Sequence, residues 1–145
     1  MKKIFMITFI FLFVFTSCKK NTNKSNIYKE LKEACDSVSN MELKGLEVYQ
    51  NSTELFEQYK EEKIKLILKV FDGSDYSYET NKLKEITTAF NRLTLDEDSF
   101  YYVEQGIETN PYLDLFNSIL LREIIMLSNE NEFIELNKLK YIYLY

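Results

Sequence analysis

The chain has 145 residues, 23 acidic and 18 basic side chains, a formal charge of −5, three Gly, one Pro, two Cys and no His or Trp. That is one domain's worth of ordinary globular sequence, at 46% hydrophobic and 28% charged. Without His there is no Ser-His-Asp triad, no Cys-His pair and no His-ligated metal, and the net negative charge disfavours nucleic acid as a partner.

The first element is Met1-Lys2-Lys3 followed by the apolar run Ile4–Phe15 and the small residues Thr16 and Ser17 ahead of Cys18. A basic start, a short apolar stretch and small residues form a secretory signal peptide. The run is too short for the roughly 20 apolar residues of a membrane-spanning helix. It is also apolar on every face, unlike the amphipathic helix of a soluble core. Phe15-Thr16-Ser17-Cys18 resembles the lipobox of bacterial lipoproteins, with Phe15 standing where Leu is usual. The resemblance implies cleavage before Cys18, lipid attachment at Cys18 and anchoring in a membrane by acyl chains such as palmitate. Lys19 follows where Asp tends to retain such proteins at the inner membrane, so the resemblance points to the outer membrane, with the periplasmic or surface face left open.

This divides the chain into a signal peptide at 1–17, an acylated Cys18 with a polar tether to residue 26, and a single domain at 27–145. Two lysines and no acid leave with the signal, taking the formal charge to −7. The tether, Lys19 to Asn26, has no apolar member.

From Ile27 the apolar positions fall at three- and four-residue steps: Ile27, Leu31, Ala34, Cys35, Val38 and Met41, with Asn26 as a cap. Gly45 interrupts this stretch. Asn51 and Glu54 resemble a capping box before Leu55, Phe56, Tyr59, Leu66, Ile67, Val70 and Phe71. Residues 63–70 also alternate by two, and Asp72-Gly73 follows, so a hairpin near 63–80, giving an α+β fold, is the alternative. Periodicity reaching back to Leu55 favours helix. Leu83, Ile86, Ala89, Phe90 and Leu93 form a further stripe, and Asp98 is placed as the cap of a short helix ended by Gly106. Asn110-Pro111 is the clearest start signal, a cap followed by Pro at the first helical position. Leu113, Phe116, Leu120, Ile124 and Leu127 share one face behind it. Ser128–Asn131 breaks the pattern before Phe133, Leu136 and Leu139, and Tyr141–Tyr145 ends as helix or strand. The sum is an all-α small bundle of five or six short helices.

Once Cys18 is acylated, Cys35 is the sole thiol and no internal disulfide can form. Glu33 and Asp36 flank it, which opposes a low thiol pKa, and its stripe partners mark it as a small buried residue. Acids concentrate late: Asp96, Glu97, Asp98, Glu104, Glu108, Asp114, Glu123, Glu130, Glu132 and Glu135 face one base, Arg122. A solvated helix surface is the favoured explanation, and an acidic face suited to a basic partner is the sharpest alternative. Tyr101, Tyr102, Tyr141, Tyr143 and Tyr145 are candidate contact residues. No phosphate loop, metal spacing or nucleophile elbow occurs, so no catalytic residue, cofactor or metal is assigned.

The expectation is a membrane-anchored lipoprotein whose helical domain binds an unknown protein or envelope partner. The alternatives are a periplasmic inhibitor or immunity-type protein using the acidic face and, less favoured, an enzyme with carboxylate chemistry.

Overall fold

In a computed structural model, the structure describes residues 24–42, 49–129 and 134–143. The elements are α1 (Lys24–Glu42), α2 (Tyr49–Asp72), α3 (Ser77–Thr94), α4 (Glu97–Glu104), α5 (Pro111–Ser128) and a terminal 3-10 helix, Leu136–Tyr143. The fold is an all-α bundle, and the described residues contain no strand. None of their helices is long and apolar enough to cross a membrane.

The hairpin alternative at 63–80 is overturned. Residues 63–72 complete α2, and Gly73, at φ +72°, takes the left-handed conformation that ends it. Ile64, Leu66, Ile67, Leu68, Val70 and Phe71 are all buried. Their burial spans more than one helix face because α1, α3 and the 3-10 helix pack around α2. That arrangement makes the sequence alternate like a strand while the backbone stays helical. Ser74 N–H and Ser77 N–H then bond to Asp72 Oδ1 and Asp75 Oδ1, at 3.0 and 2.9 Å, and tighten the turn into α3.

Three expected starts move. α1 already runs at Lys24, so Asn26 lies inside the helix rather than at its cap, and residues 24–26 of the expected tether are helical. α2 runs from Tyr49, which puts Asn51 inside it. The cap of α4 is Asp96, whose side chain accepts from Ser99 N–H at 2.8 Å, not Asp98. Asn110 does cap α5, accepting from Tyr112 N–H at 3.0 Å with Pro111 behind it. The signal peptide, Cys18, Gly45, Phe133, Leu144 and Tyr145 lie outside the described residues.

α2 is the central helix, and the core forms around it. Phe56 packs against Phe90 at 5.6 Å and Phe116 at 5.8 Å between ring centres, and Tyr59 meets Phe116 edge-on at 5.6 Å. Ile27, Leu31 and Cys35 of α1, Leu83 and Ile86 of α3, and Leu120 and Ile124 of α5 complete it. Ile134 and Ile142 close one end.

The helices run up and down, which gives the bundle two distinct ends. At one, Lys24 at the start of α1 pairs with Asp72 at the end of α2, and Lys138 donates to the Phe71 carbonyl at 3.2 Å. At the other, Asn110 at the start of α5 bonds Asn91 and Thr94 at the end of α3, at 2.8 and 2.9 Å. α4 forms the crossover at that second end.

Candidate functional site

α4 is held at its ends and by little else. Asp96 caps its first turn, and Gly106, at φ +69°, lets the chain turn back after its last. Hydrogen bonding to Ser99 holds the Asp96 carboxyl below the usual carboxylate range. Between these points α4 buries none of its residues. The segment from Asp96 to Thr109 displays Asp96, Glu97, Asp98, Glu104 and Glu108, all exposed, and contains no Lys or Arg. Tyr101 is 59% exposed, Tyr102 43% and Ile107 68%, and the two tyrosine rings meet edge-on at 5.6 Å. Its inward side, Ser99, Phe100 and Val103, is only half-buried, with the Arg92 guanidinium 5.7 Å from the Phe100 ring centre. The other side carries carboxylates beside exposed aromatics, which is the composition of a contact surface.

The acidic run therefore does not form one continuous face. Five of its members gather on and beside α4. Asp114 is half-buried at the first turn of α5 and accepts from the Thr109 hydroxyl. Glu123 lies close enough to α1 for its charge to act on Cys35. Glu135 is paired with Lys138 at 3.1 Å, at the opposite end of the bundle. Glu130 and Glu132 lie outside the described residues. Arg122 is exposed and forms no ion pair among the described residues.

Cys35 is buried, and desolvation pushes its thiol up to about 12, with Lys60 partly opposing and the charges of Asp36 and Glu123 adding to the rise. A thiol held protonated in the core is not a nucleophile at neutral pH. Tyr141 and Tyr143 fall within the 3-10 helix. Among the described residues no group of three His, Cys, Asp or Glu side chains is arranged to hold a metal ion.

The sequence did not reveal a cleft beneath α4 that has several polar side chains in its wall. Its volume is about 390 Å³, and Tyr59, Thr87, Asn91, Asn117 and Asp114 contribute to its wall. Tyr59 and Asn117 bond across α2 and α5 at 3.2–3.3 Å, and burial raises the Tyr59 hydroxyl pKa despite that bond. A signal for these residues did exist. Asn117 falls four residues after Leu113, and Thr87 and Asn91 fall four and eight after Leu83, so polar side chains occupy core steps of two apolar stripes.

In comparisons with protein-family models, with curated proteins and with solved structures, nothing matches this chain.

Proposed function

We propose that the chain is a lipid-anchored protein of the bacterial cell envelope, held at the outer membrane through Cys18, whose helical domain presents α4 to a protein or other envelope partner. One observation carries the binding reading: an ordered helix with no fully buried residue that displays acids beside the exposed Tyr101 and Tyr102. The Phe15-Thr16-Ser17-Cys18 resemblance supports the anchor.

The absence of Lys and Arg from residues 96–109 favours a second form of the same reading, in which the partner is a basic enzyme or toxin that this protein inhibits. That form requires a one-to-one complex that weakens steeply with salt.

Photocrosslinking in cells tests the contact surface. A photoreactive side chain at Tyr102 is expected to capture a discrete partner, whereas one at Tyr78, more solvent-accessible but at the opposite end, is not. Equal capture from both positions would remove α4 as the contact. The anchor is tested separately: Cys18→Ala is expected to release the protein from the membrane fraction, and an unmodified Cys18 in the mature wild-type protein would exclude lipidation.

A further inference from the structure

We propose that the outer face of α5 is an interface with a second copy of this chain, in which the two α5 helices pack antiparallel about a two-fold axis level with Leu120. The surface is distinct from that of α4, and the inference stands without the partner and anchor readings.

α5 carries two stripes. Leu113, Phe116, Leu120 and Ile124 enter the core. On the opposite side Pro111, Leu115, Ser118, Arg122, Ile125 and Asn129 are all exposed, and they follow one another at steps of four, three, four, three and four. That is the heptad spacing with which one helix presents a straight seam to another. Leu115 is 37% exposed, Ile125 44% and Met126, beside the seam, 55%. Ile119, half-buried, lies between Leu115 and Met126 on the same flank. These side chains form a patch rather than scattered apolar residues, which is the mark of a contact face.

Charge identifies what covers it. Arg122 is the sole base of α5 and forms no ion pair among the described residues. Asp114 accepts from the Thr109 hydroxyl through Oδ2, and its Oδ1 accepts from nothing among the described residues. The two residues are eight apart on one helix, roughly 12 Å along its axis, so they do not meet within a chain. In the antiparallel register that uses the whole seam, Leu115 faces Ile125 of the other copy and Ser118 faces its Arg122. Ser118 is small, and its hydroxyl turns back to the Asp114 carbonyl at 2.9 Å. It therefore leaves room for the facing guanidinium, and Asp114 borders that space one turn away. Two-fold symmetry makes this ion pair twice. A parallel pair would set Arg122 against Arg122, so the charges select both a second copy and its direction. The α4 crossovers then lie at opposite ends of the pair, and both stay open. Two helices of 18 residues make an interface at the small end of the specific range, so the expected dissociation constant is about 10–100 µM rather than nanomolar.

Sedimentation equilibrium of the full chain in density-matched detergent, with micelles in excess of chains, tests this. The wild type is expected to pass from monomer to dimer between about 5 and 500 µM. Arg122→Glu sets two acids against each other at each site and is expected to raise the dissociation constant about tenfold. Asp114→Lys in the same chain should restore it to within about threefold. Because Asp114 is half-buried, Ser118→Lys, at the exposed position facing Arg122, supplies a second exchange that leaves the core untouched. Leu115→Ser should weaken the dimer about tenfold without lowering the melting temperature. The inference fails if the wild type is monomeric at about 500 µM or assembles beyond a dimer. It fails equally if Arg122→Glu and Leu115→Ser both leave the constant unchanged, or if neither exchange restores what Arg122→Glu removes.

Discussion

Lys63 sits in the middle of α2 with no exposed surface, its ammonium 5.6 Å from the centre of the Tyr59 ring. Desolvation lowers its pKa from 10.5 to about 7. Lys60, one turn earlier, shows the contrast. Burial alone would lower its pKa too, but hydrogen bonds to Asp36 at 2.5 Å and Glu57 at 2.7 Å outweigh that and raise it. Because the folded pKa of Lys63 lies below its unfolded value, folding stability is undiminished above about 10.5 and is lost progressively as pH falls towards 7. Lys63→Met removes this dependence. It is expected to stabilise the protein by about 2–4 kcal/mol at pH 7 in urea unfolding, with the gain shrinking as pH rises and vanishing only above about 10.5. A constant difference across that range would show that Lys63 does not titrate as described. Cys35 acts on the alkaline side. Its raised pKa costs stability as pH climbs from 9 towards 12, because only the unfolded chain ionises there freely. Neither residue advertised this equally. Cys35 was legible because its neighbours on the stripe are apolar. Lys63 was not, because Lys-Ile-Lys-Leu reads as an exposed edge until α2 is known to be surrounded.

At the scale of the element, α4 and α5 differ in what makes them helical. α5 has a cap, a Pro at its first position and a buried stripe from Leu113 to Ile124. α4 has a cap and nothing buried. Asp96→Ala is therefore expected to cost about 1 kcal/mol locally. The loss should appear as faster amide hydrogen exchange in residues 99–104, with the global melting temperature unchanged within about 1 °C, since α4 contributes little to the cooperative core. A matching fall in global stability would mean that α4 is a structural strut instead. Asn110-Pro111 was readable from sequence because two signals coincide there. Asp96, Glu97 and Asp98 offer three adjacent acids, and only the backbone settles which one caps. Asn26 and Asn51 show the same ambiguity, since Asn also occurs within helices and nothing beside them excluded an earlier start.

Across the whole molecule, the all-α class followed from apolar periodicity, because each stripe needs only the right spacing to bury one face. The cleft did not, because it depends on how Thr87 and Asn91 of α3 meet Tyr59 of α2 and Asn117 of α5, which no single stripe records. The 3-10 helix completes the core from the far end of the chain, through the fully buried Ile142 and the bond from Lys138 to the Phe71 carbonyl. Ile142→Ala is expected to destabilise the fold by about 2–5 kcal/mol, lowering the urea midpoint as a single transition. An unchanged midpoint would mean that residues 136–143 dock without supporting the bundle.

The two ends of the bundle also define a direction for mechanical load. α1 begins at the end where Lys24 meets Asp72, and α4 crosses the other, one helix length away, or about 27 Å for the 18 residues of α3. Tension applied between Lys24 and α4 runs along the helix axes, so it shears the contacts of α1 with α2 and α5, and of α2 with α3, over their full length at once. Tension between Lys24 and Ser77, both at one end, instead peels those contacts apart one turn at a time. Single-molecule pulling should give the higher rupture force for the first pair of handles, which is the direction of a tug between the proposed tether and a partner held at α4.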